Sequence, residues 1–118
     1  MESYLLGLIS YTDAWRLQRE LVEARIEGRI GDVLLLLEHP PTITLGRGAD
    51  RRHLLADAAV LERLGVTVVD TDRGGDITFH GPGQLVGYPI VNLTEHRTDI
   101  DWYLRTLEAA LIEACGVF

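Results

Sequence analysis

Chemistry in this chain concentrates in RGGDITFHGPGQLVGYP, Arg73 to Pro89. Arg73 supplies a permanent planar cation with five donors. Gly74 and Gly75 leave the main chain bare, so that another molecule can come within van der Waals reach of it. On a strand, Thr78 and His80 share one face while Ile77 and Phe79 share the other, which sets a hydroxyl beside an imidazole over an apolar floor. Such a segment suits a pocket that lays an apolar substrate along a strand. The same composition also suits a plain turn, because Gly-Gly beside Asp is common turn chemistry and a single histidine is often structural.

The other reactive groups point to less. HGPGQLVG spaces its glycines as G-x-G-x-x-x-G, which misses the dinucleotide fingerprint, and GRGADR lacks the lysine of a phosphate-binding loop. His39, His53, His80 and His96 have neither a helical pair nor carboxylates at ligand spacing, so no metal site is expected. Cys115, the single cysteine, excludes an internal disulfide and reads as a small core residue of the last helix. All eleven basic residues are arginine, so no lysine chemistry originates here. Arg47, Arg51 and Arg52 form one basic cluster, read as a solvated loop or as the contact for an acidic partner.

These groups must be positioned by 118 residues, enough for one domain with one modest core. The net charge of −7 argues against nucleic acid and anionic membranes. There is no bilayer-length apolar run and no basic-then-apolar leader, so a soluble cytoplasmic protein is expected. Tyr4 to Ser10 reads as a strand. Ser10 or Thr12 then caps a helix whose apolar stripe is Ala14, Leu17, Leu21 and Ala24, ended by Gly28 and Gly31. Asp32 to His39, a continuous apolar run, predicts a central strand covered on both faces. Pro40 and Pro41 mark a turn before Thr42 to Gly46, together suggesting a hairpin. A polar loop, a short helix from Asp57 to Leu64 and a strand from Val66 to Asp70 follow. Strands flank the HGPG turn. Asp99 or Asp101 caps a final helix with Leu104, Leu107, Leu111 and Ala114 as its apolar stripe. The fold class is α+β, a mixed sheet with helices packed against it.

Three segments in order carry a resemblance to one family: LGLISYTDAWRLQ, LLLLEHPPTITLGR and RGGDITFHGPGQLVGYPI. They resemble the lipoyl(octanoyl) transferases, which move an octanoyl chain from acyl carrier protein to a lysine of lipoate-dependent enzymes. The resemblance implies the catalytic fold shared with lipoate and biotin protein ligases. It assigns Arg73, Gly74, Gly75, Asp76, Ile77, Thr78, Phe79 and His80 to acyl-substrate binding, and His39 to a second histidine nearby. It implies no cofactor, with acyl carrier protein and lipoyl domains as partners. The family's acyl-thioester cysteine and its pKa-lowering lysine belong downstream of the final helix. No catalytic residue is therefore carried over, and residues 1–118 are expected to be the N-terminal part of one catalytic domain. Two alternatives remain: an ATP-dependent lipoate-protein ligase relative, and a noncatalytic fragment that binds acyl chains or carrier protein.

Overall fold

The computed structural model describes all 118 residues. Strand β1 spans Glu2–Leu8, helix α1 Tyr11–Ile26, strands β2 Val33–Glu38 and β3 Thr42–Leu45, helix α2 Ala58–Arg63, strands β4 Thr67–Asp70, β5 Ile77–His80 and β6 Val86–Ile90, and helix α3 Ile100–Cys115. Two mixed three-stranded sheets result, ordered β1-β2-β6 and β4-β3-β5. Each repeats one plan: a central strand with a parallel neighbour on one side and an antiparallel neighbour on the other.

The expected hairpin is not formed. β2 lies in one sheet and β3 in the other, and Pro40-Pro41 carries the chain between them. Prolines cannot donate into a ladder, so the pair ends one sheet instead of folding the strand back on itself. The HGPG segment behaves likewise, since β5 and β6 belong to different sheets. His39 and His80 thus both stand where the chain leaves one sheet for the other.

Ser10 caps α1 by accepting the Asp13 N–H, and the helix lays Ala14, Leu17 and Leu21 on the first sheet. There Val33, Leu35 and Leu37 form the buried core with Ala14. Their alternates Leu34, Leu36 and Glu38 remain half-buried. β2 is therefore central as expected, yet fully covered on one face only. A carboxylate hub below the core ties three elements together. Asp32 accepts from Arg25 Nε at 2.8 Å, from the Asn92 N–H at 2.9 Å and from His96 Nε2 at 2.7 Å. Burial alone would raise its carboxyl, but these three donors outweigh it and hold Asp32 far below the usual range.

Asp57 caps α2 through the Val60 N–H, and Asp99 caps α3 through the Trp102 N–H. The apolar stripe assigned to α3 finds little cover: Leu104 and Leu111 are 51% and 66% exposed, Ala114 is exposed, and only Leu107 of the stripe, with Trp102 and Tyr103, is half-buried. Cys115 is likewise exposed, not a core residue.

Candidate functional site

The Gly-rich segment is built around its own chain. From Gly46 to Gly48 the backbone runs against Arg73 to Asp76, with Gly46 N donating to Asp76 O at 2.8 Å, Arg47 N to Arg73 O at 2.9 Å and Gly48 N to Gly75 O at 3.1 Å. The approach is so close that a Cβ at Gly46 would lie 2.9 Å from the Gly75 carbonyl carbon and 2.8 Å from Arg73 Nη1. Gly75 itself turns at φ +92°, a conformation costly for any residue bearing a side chain. The backbone bareness at Gly75 thus serves an internal approach. Gly74 is different: its Cα faces open space.

Arg73 is occupied in the same approach. Its Nη1 donates to Gly74 O at 2.8 Å, and Nη2 reaches Thr44 Oγ1 at 2.8 Å and the carbonyls of Thr44 and Asp76 at 3.1 Å. Asp76 turns away from the strand to fasten the neighbouring loop. It accepts the Asp50 N–H at 2.9 Å and pairs with His53; the Asp50 bond first and the His53 pair second lower Asp76, and the pair raises His53. The arginine cluster is partly neutralised as well, because Arg52 grips Asp50 and Arg51 lies 3.4 Å from Asp70.

The residues after Asp76 do face outward or into a shared junction. Register pairs Thr44 with Thr78 and Thr42 with His80, so Thr42, Thr44, Thr78 and His80 share one face of the second sheet, and Ile77 and Phe79 share the other with Leu45 and Ile43. Phe79 is 54% exposed. The alternation read from the sequence is therefore correct.

At the junction of the two sheets the rings of Tyr11, His39, His80 and Tyr88 gather. Tyr11 stacks on His80 with centroids 6.0 Å apart and meets His39 at 5.1 Å; His39 meets His80 edge-on at 5.6 Å and Tyr88 at 5.9 Å. His39 is fully buried and bonded at both nitrogens, Nδ1 at 2.7 Å from Ile9 O and Nε2 at 2.8 Å from Tyr88 Oη. A carbonyl can only accept, so Nδ1 carries the hydrogen and the neutral ring accepts the Tyr88 hydroxyl at Nε2. Burial lowers the His39 imidazole; His80 adds to this and the Ile9 bond opposes it. Burial likewise pushes Tyr88 up to about 12, so its hydroxyl stays protonated. His80 Nδ1 stands 2.6 Å from Gln84 Oε1. The turn carrying Gln84 docks through the Gly83 N–H on Glu38.

Of the residues assigned from the sequence, Gly74, Gly75, Thr78 and Phe79 are exposed and Ile77 and His80 half-buried, whereas the half-buried Arg73 and Asp76 spend their side chains on the neighbouring backbone and loop. Sequence reasoning passed over Tyr11, Tyr88 and Gln84. All three stand inside segments already singled out, and Tyr11 opens the first helix directly after its cap. No group of three or more His, Cys, Asp or Glu side chains is arranged to hold a metal ion. No helix is long and apolar enough to cross a membrane.

Comparison with known proteins places this chain in a family. The profile of the lipoyl protein ligase A/B catalytic domain matches residues 10–118. The chain belongs to that family. It is 55% identical over 113 residues to an octanoyltransferase of Gloeobacter violaceus, covering 95% of this chain and 49% of the relative. To an octanoyltransferase of a Roseiflexus species it is 57% identical over 109 residues, covering 92% of this chain and 45% of the relative. A solved bi-partite lipoate protein ligase of Thermoplasma acidophilum superposes with a TM-score of 0.64 at 18% identity, over 99% of this chain and 46% of that one. The lipoate protein ligase-like α+β fold follows from that superposition. The chain spans about half the length of the curated relatives it matches.

Proposed function

We propose that these residues form the acyl-binding half of an octanoyltransferase, which moves an octanoyl group from acyl carrier protein to a lysine of lipoyl domains in the cytoplasm. The observation that carries this reading is identity above one half, sustained over nearly the whole chain, to proteins named octanoyltransferase. The junction geometry supports it. The strand from Ile77 to His80 offers an apolar face with exposed Phe79 and a polar face with Thr78 and His80, and Arg73 ties Thr44 of the neighbouring strand to the Asp76 carbonyl at its start. Rigid placement of a bound acyl group is what lowers the entropic part of a transfer barrier.

Transfer through an acyl-thioester needs an activated thiolate. Cys115 does not suit that role: it lies in the exposed last turn of α3, with no imidazole or guanidinium bonded to it. On this reading the nucleophile is not among residues 1–118. Accordingly, the full-length gene product acylates lipoyl domains while residues 1–118 alone do not. Intact-mass measurement of a lipoyl domain incubated with octanoyl carrier protein reads both, and transfer by residues 1–118 alone would refute the assignment. In the full-length protein, His80→Ala should lower transfer at least tenfold, toward the range lost with a positioned proton-transfer group. Unchanged kinetics would remove His80 from the site. An ATP requirement would move the protein to the ligase branch of its family.

A further inference from the structure

The two junction histidines carry their hydrogen on the same nitrogen for different reasons and with opposite consequences. For His39 the main-chain carbonyl of Ile9 decides, and the remaining nitrogen is taken by Tyr88. For His80 the deciding group is one step removed. Gln84 Nε2 donates to Phe79 O at 3.3 Å. That carbonyl has no hydrogen to give, so the opposite amide orientation would set two oxygens against each other. Gln84 must therefore turn Oε1 toward His80, where it meets Nδ1 at 2.6 Å. An amide oxygen accepts, and so Nδ1 of His80 bears the hydrogen. A single polarity runs from the Phe79 carbonyl through Gln84 to the imidazole.

Nε2 of neutral His80 is then a bare lone pair. Nothing in the chain bonds to it, and since no buried side-chain nitrogen or oxygen lacks a partner, this nitrogen opens to solvent. It lies on a ring stacked against Tyr11 and wedged by His39, both of which restrict how it turns.

We propose that Gln84 is a positioning residue that fixes neutral His80 in the Nδ1–H form, leaving Nε2 to accept a hydrogen bond from an amine on the substrate. The second half rests on the acyl-transfer reading above. In that reaction the two groups meeting at the site are an acyl carbonyl, which can only accept, and a lysine amine, which can donate. A bare Nε2 attracts the amine and has nothing to offer the carbonyl. His80 therefore belongs to the acceptor-lysine side of the site, not to the side that polarises the acyl group.

Two measurements test this. Long-range ¹H–¹⁵N correlation spectra of the labelled chain, taken well above the imidazole titration range, distinguish a protonated from a bare ring nitrogen. The wild-type chain should show both His39 and His80 as Nδ1–H. Gln84→Leu should convert His80 to mainly Nε2–H, the form an unconstrained histidine side chain prefers in water, while His39 keeps its state because the Ile9 carbonyl is untouched. Gln84→Glu gives up the bond to the Phe79 carbonyl and swings one oxygen away from it, but it offers only acceptors to Nδ1 and should retain the Nδ1–H form. Gln84 is exposed, so neither substitution threatens the fold, and the backbone amide spectrum checks this. A wild-type His80 carrying its hydrogen on Nε2, or a Gln84→Leu chain with His80 unchanged, would overturn the tautomer lock. In the full-length gene product, Gln84→Leu should raise KM for the lipoyl domain several-fold and leave KM for octanoyl carrier protein unchanged. The reverse pattern would overturn the amine assignment. The spectra need no acyl chemistry, so a failed transferase reading leaves the first measurement intact and interpretable.

Discussion

His39 and His53 show how placement sets the sign of a pH effect. His39 is buried among Ile9, Tyr88, Tyr11 and His80, and burial keeps it neutral below the usual imidazole value of 6.5. The unfolded chain therefore takes up this proton first as the pH falls. Its contribution to stability is complete above 6.5 and is lost as the pH drops from that value through the lowered one of the folded chain, with a limiting slope of about 1.4 kcal/mol per pH unit for one proton. His53 runs the other way. Its exposed bond to Asp76 raises it, so its contribution is complete below 6.5 and disappears as the pH rises through the raised value. The Asp76 pair works on a loop and is screened by solvent. Urea midpoints measured against pH should therefore be flattened in the wild-type chain and should fall more steeply on acidification in His53→Gln. A midpoint independent of pH between neutrality and mild acid in that variant would mean that His39 is accessible to protons in the folded chain.

At the scale of elements, the glycines of the signature divide by what their Cα atoms face. Gly46→Ala forces a methyl group against the Gly75 main chain and the Arg73 guanidinium, and should cost about 1–3 kcal/mol. Gly74→Ala meets nothing within contact distance and should stay within about 0.5 kcal/mol of wild type. Chemical denaturation of the two variants measures the contrast, and equal losses would place Gly74 inside the fold. The strands and helices themselves were readable, because period-2 and helical stripes, the Ser10, Asp57 and Asp99 caps and the β-branched run before Asp70 are local signals. The partition of β2 and β3 between two sheets was not. A Pro-Pro turn stops a ladder in either arrangement, and only the tertiary pairing of β2 with β6 and of β3 with β5 decides between them. The alternation of Thr78 and His80 was legible for the same reason that Tyr11 and Tyr88 were not: a strand's faces follow from sequence, whereas a junction between sheets collects side chains from α1, β5, β6 and the turn after β2.

The whole molecule exposes more than a closed domain of its size. Its accessible surface is 8302 Å², against about 6,400 Å² for a folded monomer of this mass. Its radius of gyration is 16.0 Å, against about 13.5 Å for a compact chain of this length. Leu104, Leu111 and Ile112 on α3 and Leu5 and Leu8 on β1 lie open on that surface. Such a surface recruits cover. The residues alone should therefore associate with copies of themselves, with α3 supplying much of the contact because its apolar stripe is continuous and its N-terminal turns are already anchored by Trp102, Tyr103 and Leu107. Sedimentation or light scattering should show oligomers whose population rises with concentration. The double substitution Leu104→Glu and Leu111→Glu should shift that population toward monomer without lowering the thermal midpoint, because neither side chain contributes to the buried core of Ala14, Val33, Leu35 and Leu37. A monomeric wild-type chain at every concentration would show that α3 tolerates water as it stands. A double variant that unfolds would show instead that the stripe already packs against the body of the chain.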